Sequence, residues 1–183
     1  VPPVELHGNG RFTSQPFALE AGLTLAAAAN SGANNLIVHL YDEHGKKVVL
    51  LFNEIGPYQG SRGFEMLSAG QFVAEVQADG DWSLTLRQPR PTGAPAKLGP
   101  TTGRGYTFTE FVQLEPGLHT LKFTHTGEGM FKAVLHNHEG HRLESVVHVE
   151  GNYYDGVQPL RIEKAGIYFL NVRADGDWTI AID

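Results

Sequence analysis

Ala78-Asp79-Gly80-Asp81-Trp82 recurs as Ala174-Asp175-Gly176-Asp177-Trp178. Each copy lies between two alternating runs. Gln71-Phe72-Val73-Ala74-Glu75-Val76 precedes the first and Ser83-Leu84-Thr85-Leu86 follows it. Ile167-Tyr168-Phe169-Leu170-Asn171-Val172 precedes the second and Thr179-Ile180-Ala181-Ile182 follows it. Period-two alternation marks half-buried strands, and Asp-Gly between two such strands predicts a hairpin whose turn residues take positive φ. The pentapeptide is therefore expected to be a hairpin corner, with Asp81 or Asp177 capping it and the Trp packed inward. Its second occurrence predicts an internal duplication.

The glycines carry that duplication across nearly the whole chain. Gly10, Gly22, Gly45 and Gly56 match Gly105, Gly117, Gly140 and Gly151 at an offset of 95. Gly70 and Asp79 match Gly166 and Asp175 at 96, so one residue is inserted near Tyr154. Leu19-Glu20-Ala21-Gly22-Leu23 aligns with Leu114-Glu115-Pro116-Gly117-Leu118. Each repeat reads as six to eight short strands with no helical period. Leu36, Val38 and Leu40 alternate inward, as do Phe131, Ala133 and Leu135. The expectation is an all-β chain: two tandem antiparallel β-sandwich domains, jelly-roll-like or immunoglobulin-like, over residues 1–87 and 98–183. Residues 88–97, with three prolines, read as a semi-stiff linker.

Composition narrows the function. The 183 residues carry a net charge of −6, which argues against a nucleic-acid surface. No segment reaches the roughly 20 apolar residues of a membrane-spanning helix. There is no cysteine, so disulfides, thiolate catalysis, zinc fingers and blue-copper centres are excluded. No signal peptide is visible in the sequence, and a cleaved one would leave no trace.

The Leu-x-x-Gly opening, the Tyr/Phe-x-x-x-Val strand and the terminal Gly-Asp-Trp corner resemble small secreted jelly-roll modules of the pre-peptidase C-terminal type. That resemblance spans both repeats and implies a secreted or cell-envelope protein with a binding or adhesive role.

Several candidate sites follow. The Asp-Gly-Asp carboxylates are weak calcium candidates, because the turn already demands them. Gly8-Asn9-Gly10 and Gly103-Arg104-Gly105 read as turns, since neither opens a helix as a phosphate loop would. Tyr58, Tyr153 and Tyr154 sit in matching loops, where an aromatic either stacks on a sugar or closes the core edge. The histidines are concentrated in the second repeat: His119, His125, His136, His138, His141 and His148. The densest run is Leu135-His136-Asn137-His138-Glu139-Gly140-His141, against Leu40-Tyr41-Asp42-Glu43-His44-Gly45-Lys46 in the first repeat. The glycine corner is shared, but the histidines are not.

Gly140 suits the third position of a three-residue hairpin loop. This places Asn137 opposite His141, His136 opposite Arg142, Leu135 opposite Leu143 and Ala133 opposite Ser145. If the strand Leu118 to His125 turns back antiparallel at Gly127-Glu128-Gly129, His119 reaches the same rim. His119, His136, His138 and His141 then become candidate ligands for a metal, with copper favoured by an imidazole set. His125 and His148 go to the opposite end.

His136-Asn137-His138-Glu139 is similar to the His-x-His-Glu strand segment of copper–zinc superoxide dismutases. In size and style the chain also resembles copper-only dismutase-like accessory proteins of bacterial surface layers. That resemblance implies copper as cofactor, Arg142 attracting the superoxide anion, Glu139 orienting a ligand, and a larger envelope assembly as partner. The competing expectation is a non-catalytic adhesion module that binds carbohydrate or protein.

Overall fold

A computed structural model describes residues 2–151 and 154–183. The chain divides into two compact units, Val1–Pro89 and Arg90–Asp183. Among the described residues every element is a strand, and all strand pairs are antiparallel.

The first unit holds β1 (Val4–Asn9), β2 (Phe12–Thr13), β3 (Phe17–Leu19), β4 (Gly22–Asn30), β5 (Asn35–Asp42), β6 (Lys47–Ile55), β7 (Tyr58–Met66), β8 (Gly70–Gln77) and β9 (Asp81–Arg87). One layer has the order β1-β9-β4-β7; the other has β2-β8-β5-β6, with β3 also on β8. Alternation supplies the core between them. Leu36, Val38 and Leu40 of β5 and Phe72, Ala74 and Val76 of β8 are buried, together with Leu84 and Leu86 of β9.

The second unit repeats this plan with β10 (Leu98–Phe108), β11 (Val112–Leu114), β12 (Gly117–His125), β13 (Met130–Asn137), β14 (Arg142–Glu150), β15 (Tyr154–Ile162) and β16 (Gly166–Ile182). Here β16 runs unbroken through the pentapeptide and serves both layers. Its first half pairs with β13 and β11, and its second half pairs with β12. The core is again built by alternation: Phe131, Ala133 and Leu135 meet Leu121, Phe123, Ile180 and Ile182. The one-residue insertion falls between Gly151 and Tyr154, because Asn30 pairs with Tyr58 as His125 pairs with Tyr154.

The pentapeptide is not a hairpin. β8 and β9 belong to different layers and do not pair; the segment carries the chain across the sandwich edge. Neither Gly80 nor Gly176 takes a positive φ. They are glycines because backbone comes too close for a side chain. A Cβ on Gly80 would lie 2.6 Å from Gly32 N, and one on Gly176 2.5 Å from Gly127 N.

The capping residue is also the other aspartate. Asp79 accepts hydrogen bonds from Ala33 N (3.2 Å), Asn34 N (3.1 Å) and Asn34 Nδ2 (2.7 Å). Asp175 accepts from Glu128 N (2.9 Å) and Gly129 N (2.6 Å). Each thus ties down the neighbouring crossover loop. The tryptophans do pack inward, Trp82 at 4% and Trp178 at 2% exposure. Gly8 and Gly103, expected in turns, lie in strands directly under them.

Candidate functional site

The corner at Gly140 forms as its sequence predicts. Gly140 has φ +94 and its N–H donates to Asn137 O (3.0 Å), while Asn137 N donates to His141 O (3.1 Å). The Asn137 side-chain oxygen accepts from Glu139 N and His141 N, as Asp42 does from His44 N and Lys46 N. His136 stands opposite Arg142. Further along, the expected register fails: Leu135 pairs with Glu144 rather than Leu143, and Ala133 with Val147 rather than Ser145. Register shifts after Ala133 and Leu135 absorb the extra residues, and identical shifts follow Val38 and Leu40 in the first unit. Leu143 is left half exposed.

The four candidate histidines part company. His136 is buried, at 7% exposure. Its Nδ1 lies 3.0 Å from Gly140 O and must donate there, which leaves Nε2 to accept from Asn171 Nδ2 at 3.1 Å. His138 sits in the turn itself. His141 is exposed, with Nδ1 3.4 Å from Glu139 Oε2 and 3.2 Å from Asn137 Nδ2. His119 is on β12, which pairs with β15 and β16 but not with β13. The chain crosses to the other layer at Gly127–Gly129 instead of folding back, so His119 belongs to the opposite sheet. Its ring nitrogens face Glu115 O (2.7 Å) and Asp183 O (3.3 Å). Among the described residues, no group of three or more His, Asp or Glu is gathered as a metal ion requires. The donors do not fit the copper site that the dismutase resemblance implies. Arg142 is exposed and lines a cleft of about 480 Å³ with Arg161, Glu163 and Lys164.

His125 is fully buried, stacked on Phe131 at 5.2 Å, with Nε2 2.9 Å from Asp175 Oδ1. Although burial acts the other way, the Gly129 and Glu128 N–H groups and this imidazole hold Asp175 below the ordinary carboxylate range. His148 is exposed on β14. Tyr58 packs against Phe52 at 5.8 Å, closing the core edge. Tyr153 and the Tyr154 side chain lie outside the described residues.

The repeat register exposes a different site. In the first unit, the outer face of β5 and β8 carries a cleft of about 590 Å³, lined by Thr13, Pro16, Tyr41, Gln71, Val73 and Glu75. The Tyr41 hydroxyl donates to the Glu75 carboxylate, and Gln77 Nε2 donates to it at 2.9 Å. The Gln77 amide and the Tyr41 hydroxyl hold Glu75 below its usual value. Burial, and then this bond to Glu75, push the Tyr41 hydroxyl up. Lys47 Nζ lies 5.8 Å over the Tyr41 ring.

The same place in the second unit is filled. Thr13 corresponds to Phe108, Pro16 to Phe111, Tyr41 to His136, Val73 to Phe169 and Glu75 to Asn171. The correspondence is structural: Ala74 N donates to Ser14 Oγ at 3.0 Å, as Leu170 N does to Thr109 Oγ1. Phe169 is fully buried. It stacks on His136 at 5.2 Å and takes the edges of Phe108 (6.4 Å) and Phe111 (5.6 Å). The histidine run therefore marks the plugged copy of an open cleft. Sequence reasoning missed the cleft, although the signal was there: with Val38 and Leu40 inward, Tyr41 points outward, and the repeat register sets small Thr13 and Val73 against two phenylalanines.

No family model matches the sequence, and no curated protein matches it. Among solved structures, the chain is similar to the tandem CBM22-1-CBM22-2 domain of Paenibacillus barcinonensis Xyn10C. The identity is 8% and the TM-score 0.33, over 90% of this chain and 79% of that one. It is also similar to the PBSX exported protein XepA, at 9% identity and TM-score 0.32, over 100% of this chain and 85% of that one. A third likeness, at 8% identity and TM-score 0.31, is to the M60 catalytic domain with CBM51-1 and CBM51-2 of Clostridium perfringens ZmpB; it covers 99% of this chain and 34% of that one. The fold assignment rests on the strand pairing above.

Proposed function

We propose that the protein is a secreted or cell-envelope binding module whose ligand site is the outer-face cleft of the first unit. The second unit is the scaffold copy. One observation carries this reading: at equivalent positions of a duplicated fold, the first unit keeps a cleft walled by Tyr41, Val73 and Glu75. The second fills it with Phe108, Phe111 and Phe169. A concave site with an apolar floor and a few convergent polar groups is the usual form of a small-molecule site. The secreted location is supported by the resemblance of both repeats to secreted jelly-roll modules.

The test is amide-resolved NMR of the full chain titrated with a mixed panel of small sugars, amino acids and nucleotides. The expected result is shift changes clustered at Tyr41, Gln71, Val73 and Glu75, with none at His136, Asn171 or Phe169. Changes confined to the second unit would move the site there.

A further inference from the structure

Resting on that reading, the geometry points to a neutral, hydroxyl-rich ring, a pyranose of an uncharged glycan, as the ligand of the first-unit cleft. Three features of the cleft combine to select it. The floor is apolar: Pro16, Val73 and the Tyr41 ring present carbon surface to whatever enters. The rim is rich in acceptors. Glu75, Asp42 and Glu43 line the cleft, and an ionised carboxylate only accepts hydrogen bonds, so the ligand must bring donors. Gln71 and Thr13 add groups able to do both. A pyranose has the required form, with an apolar C–H face and a perimeter of hydroxyl donors.

The same groups disfavour an anion, and the Tyr41 face that a cation would seek is already taken. An anionic ligand would be set against three carboxylates, and like-charge juxtaposition at an interface is costly. A cationic ligand seeking the Tyr41 face would find Lys47 there already, at 5.8 Å from the ring centroid. The cleft volume, about 590 Å³, falls within the range of small-molecule sites and leaves room for more than one contact around a ring.

The second unit offers a natural control. Replacing Thr13 and Val73 with the phenylalanines that occupy Phe108 and Phe169 transplants a plug that the fold already accommodates once.

The test titrates the full chain with three sets of probes by calorimetry and amide-resolved NMR. The sets are neutral tetrasaccharides of glucose, xylose and mannose, tetragalacturonic acid as the anion, and chitosan tetramer as the cation. The expected result is that a neutral tetrasaccharide binds with shifts at Tyr41, Val73 and Glu75. Tyr41→Ala should weaken it at least tenfold, Glu75→Gln several-fold, and Thr13→Phe/Val73→Phe should abolish it. Glu75→Gln keeps the side-chain shape, so it reports on binding even if the plugged variant folds poorly. Preference for the anionic or cationic probe at those same amides overturns the ligand class and leaves the site standing. Neutral-sugar binding that is indifferent to all three variants overturns the site itself. No binding by any probe overturns the ligand class, and the mixed-panel titration then decides the site separately.

Discussion

His136 Nε2 lies 3.1 Å from the Asn171 amide, at the position where the first unit sets the Tyr41 hydroxyl on Glu75. One dyad has been kept through the duplication and put to two uses. In the first unit it stands at the wall of an open cleft and carries charge. In the second it is roofed by Phe169, and both imidazole nitrogens are spent on protein partners. Burying a polar group demands such partners, and His136 has them. His136 thus reads as a consequence of filling the cleft: the residue at position 136 must stack flat on an aromatic ring and bridge Gly140 O to Asn171.

His136→Ala should cost the second unit about 2–4 kcal/mol. The change removes the stack on Phe169 and leaves Gly140 O and Asn171 Nδ2 without this partner in a buried place. Tyr41→Ala should cost the first unit only about 1 kcal/mol, because its ring lines an open cleft. Each unit contains one tryptophan, so urea denaturation followed by fluorescence in Trp82→Phe and Trp178→Phe backgrounds separates the two transitions. Equal costs in the two units would contradict the assignment of an open and a filled copy.

Asp42→Ala and Asn137→Ala should have matched effects, about 0.5–1.5 kcal/mol each. Each side-chain oxygen accepts two backbone N–H groups across its corner, from His44 and Lys46 or from Glu139 and His141. Both corners are solvent-accessible, so water replaces part of the loss. Hydrogen exchange at the four amides should quicken while the sheet amides stay protected. Slow exchange at those four in the variants would show that the turn stands without its cap.

The alternation that made each strand legible is local, and so is the corner at Gly140, whose loop and closing pair follow from one glycine. What lay beyond the sequence was which layer each strand joins. Ala-Asp-Gly-Asp-Trp looks the same whether its flanking strands pair or pass to opposite sheets. The deciding fact is the approach of Gly32 and Gly127, about fifty residues upstream, to the pentapeptide glycines. The same limit governed His119, which was legible as an alternating strand residue but not as a member of the other layer. Alternation turns His136 away from the core, yet it is buried. Its roof is Phe169 on the neighbouring strand, itself packed by Phe108 and Phe111 from near the start of the repeat, and no local pattern carries that information.

Gly80→Ala and Gly176→Ala should each destabilise their own unit by roughly 1–3 kcal/mol, the usual range for forcing atoms into filled space. The new methyl would meet backbone, Gly32 N at 2.6 Å or Gly127 N at 2.5 Å, and backbone cannot swing aside as a side-chain tip does. Gly93→Ala, with nothing within 4 Å, should be neutral. Thermal unfolding of the three variants checks this. A neutral Gly80→Ala would show that the approach of the Gly32 backbone is not what selects glycine there.

Asp175 gives the second unit an acid sensitivity. Its carboxyl is held below the ordinary range in the folded state, so the unfolded chain binds its proton first as pH falls. The stabilisation is therefore complete above the unfolded value, near pH 4, and is lost as pH falls from there through the folded value. The half-exposed carboxylate, at 42%, keeps the effect modest. Asp175→Asn should be less stable than the parent at pH 7, because Glu128 N and Gly129 N lose a charged acceptor. Its stability should also be flatter between pH 5 and pH 3. Asp79, which holds Ala33 and Asn34 in the same way, provides the comparison through Asp79→Asn in the first unit. Urea midpoints measured across that pH range for both variants decide the matter: a parent and an Asp175→Asn protein whose midpoints fall in parallel would show that the carboxylate contributes nothing through its charge.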